Sequence, residues 1–156
     1  MRTKRDIMRS SIYFLGNGKL IVSTVNCIKG SHPIESDSFT VIDRPEDIEL
    51  VGATARIHAE QSAVIEFKDA PDPMKSLSAA LSVAGVRTER AFVASSRYCL
   101  FKIVDGEFRI SPTVMSASGR GFDFVPAARV VLGSGVDDAE LGQAILSALR
   151  YAESNA

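Results

Sequence analysis

The sequence has little of the chemistry on which metal sites and nucleophilic enzymes depend. Its 156 residues include two cysteines, two histidines and no tryptophan. Neither a C-x-x-C nor an H-E-x-x-H spacing occurs, and a closed zinc site would need scattered carboxylates to complete four ligands. Cys27 and Cys99 each lie in a strand-like run, which favours buried free thiols over a disulfide. We therefore expect no cofactor and no metal.

Long apolar runs and a strong net charge are also missing. The apolar run after the basic start, Ile12–Leu15, is far too short for a signal-peptide core. No stretch approaches the ~20 apolar residues of a membrane span. The formal net charge is −1, so no global field attracts nucleic acid or a membrane surface. These absences predict a cytoplasmic protein that binds neither a membrane nor nucleic acid directly.

What is present is a clear hairpin pattern in RYCLFKIVDGEFRISP, residues 97–112. Asp105-Gly106 supplies the two residues that tolerate positive φ in a type I′ turn. Alternating apolar residues on both sides predict one core face: Phe101, Ile103, Phe108 and Ile110. Pro112 lacks an N–H group, so the second strand is expected to end there.

Three helices are predicted from capping signals and apolar stripes. Asp43-Arg44-Pro45-Glu46 predicts the start of a helix over 45–62, and Gly52 inside it suggests close packing against a strand. Asp72-Pro73 predicts a helix over 73–84 that Gly85 terminates. The capping box 137–140 predicts a closing helix over 138–153.

The remaining apolar runs read as strands. A hairpin is predicted around Gly16-Asn17-Gly18, a loop over 26–38, and a further short strand at Ala91–Ala94. Together the patterns predict a single α+β domain over 1–156. Its largely antiparallel sheet should have about five or six strands, with the three helices packed on it.

One short motif raises an enzymatic alternative. Glu66-Phe67-Lys68 matches the (D/E)-x-K element of metal-dependent nucleases, in which the carboxylate binds the metal and the lysine stabilises the transition state. Three residues match often by chance, and no motif fixes the additional aspartate that such a site needs. His58 is expected to be a helix-flank residue rather than a base, because no nucleophile lies near it in sequence.

The last third of the chain resembles a known family. Its features are a strand-turn-strand CLFKIVDGEFRISPT, a glycine-bearing loop and aromatic strand SGRGFDFVP, and the ending VVLGSGVDDAELGQAILSALRYAES. This order is similar to that of the immunity proteins of bacterial contact-dependent growth inhibition (CDI) systems, the CdiI group. The resemblance implies a cytoplasmic protein that binds a toxin's C-terminal domain, with no catalytic residues to carry over.

The resemblance also implies a mode of action, which is occlusion of the toxin's active site. Many such toxins are nucleases with basic clefts, so an acidic patch on the inhibitor would guide association. The candidate partner-binding residues are Glu66, Asp69, Asp72 and Asp123. The first three cluster between a strand and a helix start, with Asp123 apart from them, and a solvated, helix-capping loop explains that cluster better than an interface does. A homo-oligomeric structural or regulatory module remains a third alternative.

Overall fold

The computed structural model describes residues 7–154. Its centre is one eight-stranded sheet in the order β3-β2-β1-β5-β6-β7, with β4 beside β2 and β8 beside β6. All pairings are antiparallel except that of β2 with β4. The strands are β1 (Met8–Phe14), β2 (Leu20–Ile28), β3 (Pro33–Ile42), β4 (Val64–Ile65), β5 (Arg97–Val104), β6 (Glu107–Met115), β7 (Phe122–Phe124) and β8 (Val130–Gly133).

Within the described residues, four α-helices accompany the sheet: α1 (Ile48–Glu60), α2 (Pro73–Ala84), α3 (Glu89–Ser95) and α4 (Asp138–Ser154). Two single-turn 3-10 helices lie at Phe67–Asp69 and Pro126–Ala128. Within residues 7–154, none of the helices has both the length and the apolar character needed to cross a membrane.

The main core lies between one face of the sheet and the pair α1 and α4. Most strand residues that point to this face are fully or almost fully buried, as are most residues of the apolar stripes of the two helices. Phe101 and Phe108 meet edge to face there, with ring centroids 5.3 Å apart. The fully buried side chains of this core include Ile12, Leu20, Val22, Val51, Ile110, Leu141 and Ile145. The hydrophobic effect of this one interface therefore fixes which residues of each strand face outward.

The predicted hairpin forms as its turn residues indicate, but it does not end where we expected. Asp105 and Gly106 adopt φ of 50° and 75°, and Val104 pairs with Glu107 across the turn. The prediction that Pro112 ends the strand is wrong, because β6 runs on to Met115. Pro112 is the last residue that pairs with β5, and beyond it β6 pairs with β7 instead.

The α+β class and the largely antiparallel sheet are confirmed, whereas both element counts were too low. The segment 26–38 is not a loop: it contains the end of β2 and the start of β3, joined through Gly30 at φ 71°. Pro33 is tolerated as the first residue of β3 because that strand lies at the edge of the sheet. Ala91–Ala94 belongs to α3, whose N-cap Thr88 accepts a hydrogen bond from the Ala91 N–H.

The structure also corrects two details of the predicted helices, the start of α1 and the packing partner of Gly52. α1 begins at Ile48 with Asp47 as its cap, because the Asp47 carboxylate accepts from the Leu50 N–H at 3.2 Å. Gly52 packs against α4 rather than against a strand. By contrast, the Asp72 cap and the Gly85 terminator of α2 are confirmed. Both cysteines are free thiols, with Cys99 buried and Cys27 half-buried.

Candidate functional site on the open face of the sheet

The second face of the sheet is only partly covered. Ser10 on β1 points to the helical core, where its hydroxyl donates to the Ala55 carbonyl at 3.0 Å. Since successive side chains alternate, Arg9, Ser11 and Tyr13 point the other way. α2 and α3 pack over part of this second face, around Leu15, Ile21 and Phe92. We call the remainder the open face and take it as the candidate functional site.

An aromatic cluster divides the open face. Tyr13 and Tyr98 lie directly opposite each other on β1 and β5, and their rings stack with centroids 4.7 Å apart. Phe92 of α3 approaches Tyr13 at 5.4 Å, while Phe122 and Phe124 of β7 approach Tyr98 at 5.5 and 6.2 Å. Phe124 remains half exposed. Rigid aromatic side chains of this kind are enriched at protein interfaces.

Two polar bonds hold the tyrosines in place. The Tyr13 hydroxyl donates to the Glu35 carboxylate at 2.6 Å, and the Tyr98 hydroxyl shares a 3.3 Å hydrogen bond with Ser11. Burial raises the pKa of the Tyr13 phenol, and the nearby Glu35 charge raises it further. Burial also raises the pKa of Tyr98. Both phenols therefore stay protonated at neutral pH, and that of Tyr13 is the donor to Glu35.

Two clefts open on either side of this cluster. One, of about 330 Å³, lies between α2, α3 and β7, and its lining includes Tyr13, Glu35, Leu77, Phe92, Arg120 and Phe122. The other, of about 380 Å³, lies over β1 and β5, and its lining includes Arg9, Ser11, Glu35, Tyr98, Leu100, Lys102 and Phe124. Both combine an apolar floor with a few charged groups, which suits recognition of a protein segment.

A row of cations crosses the open face beside the second cleft. Arg9 of β1 pairs with Lys102 of β5, and Lys102 pairs with Arg109 of β6. Burial lowers the pKa of Lys102, and the positive charges of Arg9, Arg129 and Arg109 lower it further. We call Arg9, Lys102 and Arg109 the cation row. Sequence reasoning missed it, although the Asp105-Gly106 turn already implied that Lys102 lies opposite Arg109.

The structure places the four acidic residues predicted to bind the partner around β4, the start of α2 and β7. Glu66 lies 3.7 Å from Lys29 Nζ in an exposed ion pair, and Asp72 caps α2 by accepting from the Met74 N–H at 3.0 Å. Asp69 is exposed in a 3-10 helix, and Asp123 is exposed on β7. Asp72 and Asp123 are each next in sequence to a residue that lines the first cleft, Pro73 and Phe122.

The nuclease alternative gains no support from this placement. Glu66 is engaged by Lys29 at the surface, and Lys68 is exposed. In the described part of the chain no group of three or more His, Cys, Asp or Glu side chains is arranged to hold a metal ion. The carboxylate cluster that an (D/E)-x-K nuclease site requires is therefore not found among residues 7–154.

His58 lies in the helical core rather than on the open face. Its Nδ1 and Nε2 atoms are each 2.8 Å from a threonine hydroxyl, those of Thr24 and Thr40. Burial lowers the pKa of this imidazole. The residue was expected on the flank of the helix, but it is buried and joins α1 to β2 and β3.

Comparison with known proteins gives one family and two similar structures. The family model described as CDI immunity protein matches residues 17–152. A Neisseria meningitidis protein of unknown function superposes with a TM-score of 0.79 at 17% identity, covering 97% of this chain and 98% of that one. A chain of the CdiA-CT/CdiI toxin and immunity complex from Yersinia pseudotuberculosis gives 0.71 at 13% identity, covering 96% and 97%. No curated protein sequence matches.

Proposed function

Because the chain belongs to the CDI immunity protein family, we propose that it binds and neutralises the C-terminal toxin domain of its cognate CDI system. The observation that carries the proposal is the extent of the family match, which runs from the β1–β2 turn into α4. The matched region includes the strands and helices that build both faces of the sheet, apart from β1.

We place the toxin on the open face and propose that it is neutralised by occlusion of its active site. The helical face is covered by α1 and α4 except for one cleft of about 350 Å³ beside Phe14 and Leu149, whereas the open face offers two clefts separated by stacked tyrosines. Buried aromatic anchors surrounded by polar groups carry most of the binding energy in tight protein complexes. Tyr98, Phe122 and Phe124 are suited to that role.

We further propose that the toxin is a nuclease whose basic substrate cleft is met by the exposed acidic residues Glu66, Asp69, Asp72 and Asp123. The placement of Asp72 and Asp123 beside residues of the first cleft supports this proposal for those two more strongly than for the others. A toxin that acts on nucleic acid inside the cell requires an inhibitor in the cytoplasm. The protein then acts stoichiometrically and catalyses no reaction.

Co-expression with the toxin domain encoded beside it tests the proposed function. Cells that express the toxin alone should stop growing, and cells that also express this protein should grow. Protection should fail once toxin exceeds the protein, because each inhibitor molecule occupies one toxin molecule. Growth arrest at every ratio would overturn the proposal. Protection by a large deficit of this protein would overturn the stoichiometric mechanism.

A further inference from the structure

The cation row places like charges where a sheet normally avoids them. Side chains directly opposite on neighbouring strands have Cβ atoms about 5 Å apart, and like charges in that position destabilise the pair. Here the arrangement occurs twice in succession, from Arg9 to Lys102 and from Lys102 to Arg109. Arg129, immediately before β8, adds a fourth positive charge close enough to act on Lys102.

An internal carboxylate compensates one end of the row. Glu107 lies 2.8 Å from Arg109 Nε. Among the residues that the structure describes, no carboxylate lies within ion-pair distance of Arg9 or Lys102. Glu35, which lines the same cleft, is hydrogen-bonded to Tyr13. A charge arrangement that costs stability and is left open at the surface indicates a ligand of opposite charge.

The apolar surroundings restrict what that ligand can be. Tyr98 and Leu100 precede Lys102 on the same face of β5, and Phe124 completes the cleft above them. Val131, which pairs with Arg109, is half exposed. The ligand must therefore present apolar side chains together with its negative charges.

We propose that the cation row is the docking site for a carboxylate-bearing segment of the toxin domain, whose apolar side chains enter the cleft beside Tyr98 and Phe124. Arginine forks bind carboxylates in a bidentate manner, and the ammonium group of Lys102 supplies a further donor between them. This inference rests on the proposed function. It adds that the toxin surface that contacts the row carries carboxylate groups.

A nucleic-acid ligand fits the same charges less well. With strands about 4.8 Å apart, the row spans roughly 10 Å. Proteins that track a phosphate backbone neutralise more charges, on the order of six to ten, and do so along an extended groove. The net charge of −1 also gives no long-range attraction to nucleic acid. A protein segment with two or three carboxylates matches the size of the row.

The test compares two double variants that lower the net charge equally. Arg9→Gln with Lys102→Gln removes two cations from the row. Arg44→Gln with Arg150→Gln removes two exposed cations, one after β3 and one on α4 at the opposite face. Thermal unfolding should show that both are folded, because neutralising the row removes repulsion. Titration calorimetry then measures the affinity of each for the cognate toxin domain at about 0.05 M and 0.3 M salt.

We expect the row variant to bind the toxin domain at least about tenfold more weakly at low salt and to lose most of its salt dependence. The control variant should stay within about twofold of the original protein. Equal affinity of the two variants, with the unmodified protein still binding, would overturn this inference alone. An unmodified protein that neither binds nor protects would instead overturn the proposed function. A third outcome is that a short DNA or RNA duplex binds to the unmodified protein and not to the row variant, while the two proteins bind the toxin domain equally well. That result would show that the row binds nucleic acid, and it would also overturn this inference.

Discussion

Gly52 of α1 and Gly142 of α4 face each other where the two helices cross. A Cβ atom on Gly52 would lie 1.8 Å from the Asp138 carbonyl oxygen, and one on Gly142 would lie 1.8 Å from the Ile48 carbonyl oxygen. The obstacles are backbone atoms, which no rotamer change can move aside. The helices therefore approach closely only because both positions lack a side chain, and this contact sets the layer that covers the main core.

Gly142→Ala should destabilise the protein despite the higher helix propensity of alanine. The propensity gain is about 1 kcal/mol, whereas separating the helices and loosening the core should cost about 3 kcal/mol or more. Urea unfolding gives the difference in free energy. Gly135→Ala is the matched control, because a Cβ atom there would have nothing within 4 Å and its φ is not positive. Equal stability of the two variants would contradict the close crossing.

The buried His58 should make folding sensitive to mild acid. Its pKa is lowered in the folded protein by burial, while in the unfolded chain it lies near 6.5. Below about pH 6.5 the unfolded state binds a proton that the folded state resists, so stability falls as the pH falls, by at most about 1.4 kcal/mol per pH unit. Above that pH this group contributes no pH dependence.

Urea midpoints of the original protein and of His58→Gln, measured at about pH 7.5 and pH 5.5, check this prediction. The variant should be less stable at the higher pH, because its contacts with Thr24 and Thr40 change, but it should lose less stability on acidification. His32→Asn is the control, since His32 is exposed and, within the described residues, its imidazole bonds only to the neighbouring Ser31. An unchanged pH dependence in His58→Gln would show that another group is responsible.

Tyr13→Phe should cost more stability than Tyr98→Phe. The first change removes a 2.6 Å hydrogen bond to the half-buried Glu35 carboxylate, and bonds to charged groups contribute about 1.5–3 kcal/mol. The second removes a 3.3 Å bond to the neutral Ser11 hydroxyl, which is worth about 1 kcal/mol. Chemical denaturation of both variants measures the two losses, and the reverse order would contradict the role assigned to the Tyr13–Glu35 bond.

Local chemistry predicted those parts of the fold that depend on a few neighbouring residues. Asp105-Gly106 specifies its own turn, and Asp72 and Gly85 specify the two ends of α2. Ala91–Ala94 was wrongly assigned to a strand because four apolar residues fit either structure. The residue that identifies the segment as a helix is the N-cap Thr88, which precedes these four residues in the sequence.

The site depends on contacts between distant parts of the chain, and these were not predictable. Arg9 meets Lys102 only because β1 pairs with β5, a contact that joins residues far apart in the sequence. Gly52 was recognised as a close-packing position, but its partner on α4 could not be inferred from one sequence. The acidic residues were proposed from the implied charge of the partner, and that proposal still awaits a binding experiment.

Titration of the purified protein with its cognate toxin domain tests the central claim most directly. We predict a tight complex with one molecule of each, together with slowed amide exchange in β1, β5 and β7 on the open face and little change in α1 and α4. Absence of a complex under conditions in which both proteins are folded would contradict the account. A complex that protects only the helical face would contradict the placement of the toxin on the open face.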